Sequence, residues 1–81
     1  DTVEIKRMFV KKEYRGTKTA SSILNSLEVW ASEEGFIKCI LETGSRQIEA
    51  NKFYKKSGYR SIPNYGQYTQ VEDSNCFEKL V

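Results

Sequence analysis

The sequence predicts a single small α/β domain of the α+β kind, with the order strand, helix, strand, helix, strand, strand and helices packed on a mixed sheet. Three observations predict it. Apolar residues switch between a two-residue and a 3.6-residue repeat along the chain. Gly35 and Gly58 fall where the two helical patterns end. Strand-length apolar runs alternate with helix-length ones, and strand–helix–strand spacing of this kind favours a right-handed parallel crossover. A last strand reached through a loop adds an antiparallel neighbour.

The opening "VEIKRMFVKK" is rich in branched and aromatic residues. Val3, Ile5, Arg7 and Phe9 fall on one face and Glu4, Lys6, Met8 and Val10 on the other, as in a strand with mixed faces. "KEYRGTK" breaks the pattern. From Thr19 to Glu34 the period is helical: Ala20, Ile23, Leu24, Leu27 and Ala31 line one side, and Trp30 widens the stripe. Thr17 or Thr19 suits the cap and Gly35 the stop. "FIKCILETG" reads as a buried strand. Ser45 suits the cap of a second helix, "RQIEANKFYKKS", whose inner side is Ile48, Ala50, Phe53, Tyr54 and Ser57 and which Gly58 ends. "YRSI" is a short strand, "PNYGQYTQVEDSN" a long polar loop, and "CFEKL" the last strand.

At 81 residues the chain is expected to form one domain, 1–81, with a modest core. Charged residues at 30% beside 38% hydrophobic ones argue for a folded, soluble chain and against disorder. A net charge of +2 is too slight to argue for a nucleic-acid partner. Lys6, Arg7, Lys11, Lys12, Arg15 and Lys18 nevertheless crowd the first quarter, which suits either an anionic ligand or a solvated basic edge. Cys39 and Cys76 sit among apolar neighbours, as expected of free buried thiols in a reducing cytoplasm, with a single bridge between them as the alternative. No apolar run approaches the ~18 residues of a membrane span, so no membrane partner is expected. The chain has no His, which removes Ser-His-Asp and Cys-His catalysis and most zinc sites, and no metal is expected.

The stretch "EYRGTKTASS", residues 13–22, leads into the first helix. A helix start offers unpaired N–H groups and the positive end of the dipole, and small residues let phosphates approach the backbone. Arg15 and Lys18 add charge. The stretch reads either as a phosphate cradle or as an ordinary capped helix start. Neither GxGxxG nor GxxxxGK[ST] is present.

"RMFVKKEYRGTKTASSIL" resembles the central motif of the GNAT superfamily of acyl-CoA-dependent N-acetyltransferases, a strand followed by Gln/Arg-x-x-Gly-x-Gly/Ala and a helix. Arg15 holds the first position and Ala20 the last, and Lys18 stands where the middle Gly is usual. "QIEANKFYKKSGY" is similar to the family's Asn-x-x-Ala-x-x-Leu-Tyr-x-x-x-Gly-Phe, with Gln47 in the Asn place, then Ala50, Phe53, Tyr54, Gly58 and Tyr59. "LETG", "IPNYGQY" and "CFEK" look like one bacterial branch of small members. The resemblance runs through nearly the whole chain.

The resemblance implies roles. Met8, Phe9 and Val10 end the strand that pairs with the pantetheine arm of acetyl-CoA. Arg15, Gly16, Thr17, Lys18, Thr19, Ala20 and Ser21 hold its pyrophosphate, and Gln47 belongs to the cofactor side. Tyr54 is the general acid for the departing thiolate; the alternative is a plain core aromatic. Glu4 is the base for the amine, with Glu42 a weaker rival. Tyr65, Gln67 and Tyr68 face the acceptor or lie on a surface loop. No metal is implied.

In family members the motif strand lies in mid-chain, whereas here it begins at residue 3, so the usual amino-terminal strands are lacking. The missing strands are expected from a longer chain, a companion chain or a second copy, and a homodimer or companion completing the sheet is the expected partner. The leading expectation is an N-acetyltransferase moving acetyl from acetyl-CoA to an amine by direct transfer. The alternatives are a non-catalytic CoA-binding or partner-binding half-domain and, behind it, a small nucleic-acid binder.

Overall fold

The computed structural model describes residues 1–6 and 18–81, Lys18 by its backbone alone. Strand β1 (Thr2–Glu4) is followed by helix α1 (Lys18–Glu33), β2 (Lys38–Gly44), α2 (Ile48–Lys56), β3 (Arg60–Ile62), a 3-10 turn at Gly66–Tyr68, and β4 (Ser74–Leu80). The sheet order is β1-β2-β4-β3. β1 runs parallel to β2, as the crossover spacing predicts, and β4 lies antiparallel between β2 and β3. The last strand begins at Ser74, two residues before "CFEKL", because Ser74 and Asn75 pair with Gly44 and Thr43.

Both helices end on their glycines for the same physical reason. Gly35 and Gly58 have φ of 91° and 98°, a left-handed region that glycine enters without Cβ strain. At Gly35 the Phe36 N–H donates to the Ala31 carbonyl and the Gly35 N–H to the Ser32 carbonyl. At Gly58 the Tyr59 N–H donates to Tyr54 and the Gly58 N–H to Lys55. Each pair is the Schellman pattern, and each carries a ring contact across the stop: Trp30 with Phe36 and Tyr54 with Tyr59.

The helix starts depart from expectation. Thr19 lies inside the first turn of α1 instead of at its cap, and Thr17 lies outside the described residues. Gln47, not Ser45, is the cap position of α2, because the Ser45 N–H is engaged by the Asp73 carbonyl and Gln47 N–H turns back on Gly44. Asn51 completes that start, donating from Nδ2 to the carbonyls of Gly44 and Gln47.

One face of the sheet is covered. Leu24 and Ala31 of α1 and Tyr54 of α2 pack on Cys39, Leu41, Phe77 and Tyr59, with Val3 and Ile5 at the margin. Cys39 and Cys76 are buried and free. The apolar arc of α1 is wider than the sheet beneath it: Leu24 and Ala31 are buried, while Ile23, Leu27 and Trp30 are exposed. Their expected place on the inner stripe is corrected, because α1 lies on the sheet along Leu24, Glu28 and Ala31. Ile48 is also exposed at the start of α2. Among the described residues no helix is long and apolar enough to cross a membrane.

Candidate active site

Two starting points organise the site. The first is the opening turn of α1. Lys18, Thr19, Ala20 and Ser21 form it, and no acidic residue stands there to repel an anion. Thr19 and Ser21 are exposed and Ala20 partly buried, so a ligand has access to this turn. Arg15, Gly16 and Thr17, like Met8, Phe9 and Val10, lie outside the described residues. Gln47 is exposed at the start of α2, where its carbonyl accepts from Asn51.

The second is Tyr54. Residues Phe53, Tyr59 and Phe77 surround its ring, with centroids 5.4, 5.9 and 6.2 Å away. The side chain is buried, yet the hydroxyl has no hydrogen bond among the described residues. Burial pushes its pKa above the ordinary tyrosine value. Tyr54 therefore keeps its proton at neutral pH. Its neighbour Tyr59 differs. Tyr59 donates to Glu28 Oε2 at 2.9 Å, and Lys79 Nζ reaches Glu28 Oε1 at 3.0 Å. Burial first, then the bond and charge of Glu28, push Tyr59 far above the usual range. The helical stripe did not reveal Glu28 as a buried anchor, since a Glu in mid-helix ordinarily faces water; "GY" after the helix stop was the only signal for Tyr59.

Glu4 lies on the opposite face of the sheet. Val3 pairs with Cys39 of the core, so the alternation of the strand turns Glu4 away from Tyr54. On that open face Glu4 Oε2 accepts the Tyr65 hydroxyl at 3.2 Å, and Lys6 Nζ stands 3.9 Å from Oε1. Glu42 Oε2 accepts from Ser74 Oγ at 2.7 Å. Glu42 and Cys76 are cross-strand partners. Further along, Glu78 is bound by Arg60 and by Lys38 at 3.4 Å. Tyr65 and Tyr68 meet edge to face at 5.6 Å. The structure thus brings together Glu4 and Tyr65, which lie 61 residues apart in sequence. Gln67 is exposed in the turn between the two tyrosines. Among the described residues no cluster of His, Cys, Asp or Glu could hold a metal ion.

A parallel strand, a helix with an exposed opening turn, and a second helix presenting a protonated tyrosine match the fold of acyl-CoA N-acyltransferases. The acetyltransferase (GNAT) domain profile matches residues 1–61, and the chain belongs to that family. An Azospirillum brasilense protein called IAA acetyltransferase is 34% identical over 65 residues, which are 80% of this chain and 42% of that protein. A Klebsiella pneumoniae structure solved as a candidate acyl-CoA N-acyltransferase superposes with a TM-score of 0.91 at 28% identity, covering 98% of this chain and 55% of that one. A GNAT-family acetyltransferase structure from Staphylococcus aureus Mu50 gives 0.83 at 25% identity, over 98% and 51%. The chain spans about half the length of the relatives it matches.

Proposed function

We propose that the protein is an N-acetyltransferase that moves an acetyl group from acetyl-CoA to an amine by direct transfer, and that this chain is its cofactor-binding part. The observation that carries the reading is Tyr54: a buried, protonated tyrosine whose hydroxyl has no partner among the described residues. In the reaction the amine nitrogen bonds to the acetyl carbon and the carbon–sulfur bond breaks. Tyr54 gives its proton to the departing thiolate, and Glu4 takes the proton that the amine loses, directly or through one water. The opening turn of α1, with Arg15, Gly16 and Thr17 before it, is the pyrophosphate site in this reading. Met8, Phe9 and Val10 take the pantetheine arm by strand addition, and Gln47 borders the cofactor. Most of the rate comes from positioning. Tyr54→Phe is expected to lower kcat by ~10²-fold or more and to leave acetyl-CoA affinity unchanged, measured by thiol release and by calorimetry. Unchanged turnover would overturn the assignment.

A second reading, a non-catalytic CoA-binding or partner-binding module, draws support from the apolar side chains of Ile23, Leu27 and Trp30, which lie uncovered on α1. In either reading a further stretch of chain, a companion or a second copy covers that side and extends the sheet beyond β1. A monodisperse 81-residue monomer in sedimentation would remove the second copy from consideration.

A further inference from the structure

We propose that Tyr65 is a positioning residue for Glu4: its hydroxyl holds one carboxylate oxygen so that the other is presented to the acceptor amine. The proposal rests on the acetyl-transfer reading above. Glu4 Oε2 accepts from Tyr65 Oη at 3.2 Å. Among the described residues Oε1 has only Lys6, at 3.9 Å, too long for a hydrogen bond, so none of them takes up the lone pairs that would receive a proton. The Glu4 side chain is 27% exposed, which leaves it open to a substrate or a water.

The hydroxyl arrives on a loop that is fixed without it. The Tyr65 carbonyl accepts the Tyr68 N–H at 2.9 Å, and the Tyr68 ring packs edge-on against the Tyr65 ring. Thr69 Oγ1 donates to Gly66 and Asn64 Nδ2 to Val71, closing the loop on itself. A loop with this many ties of its own does not need a bond to Glu4 for its shape. The bond instead fixes Glu4, whose neighbours on the open face are Lys6 of its own strand, Tyr65 of the loop, and Cys76 of β4 with Glu42 beyond it. Burial and the Glu4 charge both raise the Tyr65 pKa, so Tyr65 remains a donor at working pH.

The test compares wild type, Tyr65→Phe, Glu4→Gln and the double variant in the protein at its natural length. Tyramine serves as the probe amine and thiol release as the kinetic readout. The expected result is a ~5-fold loss of kcat in Tyr65→Phe with KM for acetyl-CoA unchanged, and a double variant no slower than Glu4→Gln alone. Losses that multiply in the double variant would overturn the proposal. Side-chain couplings of Glu4 by NMR give a readout independent of turnover. They are expected to report one rotamer in wild type and averaging in Tyr65→Phe, with loop amide shifts conserved. A Glu4 rotamer population indifferent to Tyr65→Phe overturns the positioning role even where no probe amine is acetylated, whereas a wild-type protein that binds acetyl-CoA but releases no thiol with any amine counts against the acetyl-transfer reading alone.

Discussion

The two faces of the sheet treat charge in opposite ways. On the helix-covered face Glu28 is buried and fully engaged: Tyr59 donates to one oxygen and Lys79 to the other, while Lys79 also donates to the Ser57 carbonyl at 2.9 Å and sits over the Tyr59 ring. This trio ties α1 to the end of α2 and to β4. On the open face the carboxylates have single or exposed partners. Glu4 has Tyr65 and the exposed Lys6, Glu42 has Ser74, and Glu78, itself buried, has Lys38 and the mostly exposed Arg60. Saturated polar groups hold the fold; partly satisfied ones are available for chemistry. Tyr54 is the informative exception, a residue of the packed face whose hydroxyl has no hydrogen bond among the described residues.

The comparison breaks most visibly at Phe77, which is fully buried beneath both helices. Phe77→Ala is expected to cost about 3–5 kcal/mol, a large share of what a domain of this size holds at roughly 0.1 kcal/mol per residue. Urea denaturation measures it. A loss under ~1 kcal/mol would mean that the covered face is not the core.

A finer test sets two carboxylates against each other. Glu28→Ala strands Lys79 and Tyr59 and is expected to cost about 2 kcal/mol. Glu78→Ala on the open face should cost clearly less. The Glu78 carboxyl is held below the usual carboxylate range, first by the Arg60 hydrogen bond and then by Lys38, with burial opposing. A depressed carboxylate stabilises the fold above its unfolded pKa, about 4.3, and loses that contribution as pH falls through the lower folded value. Denaturation midpoints measured from pH 6 downward should therefore fall less steeply in Arg60→Gln than in wild type.

The smallest effect sharpens the contrast between adjacent aromatics. Tyr59→Phe removes a bond to Glu28 and should cost about 1–2 kcal/mol. Tyr54→Phe removes a hydroxyl with no partner among the described residues and should change stability by under ~0.5 kcal/mol. Equal losses would contradict the division between a structural and a chemical tyrosine.

Much of this arrangement was legible in the sequence. The change of period and the glycines at 35 and 58 located both helices to within a residue or two, because the Schellman stop has a strong local signature. Tyr54 was legible as an inner-face residue for the same reason. Ser45 misled because cap propensity does not know that its N–H goes to Asp73, a contact from a distant loop. Glu28 was invisible because its partners lie on other elements, 31 and 51 residues away. Ile23, Leu27 and Trp30 read as core because periodicity reports an apolar arc, not what covers it. The Glu4–Tyr65 bond could not be read at all: it joins a strand to a loop that only the sheet order brings together.

The central claim is that the start of α1 and Tyr54 serve an acyl-CoA in separate steps, binding and proton transfer. Calorimetric titration of wild type and Tyr54→Phe with acetyl-CoA tests it most directly. The account predicts binding on the order of micromolar for both proteins, with turnover lost only in the variant. A folded wild-type protein that does not bind acetyl-CoA would contradict it.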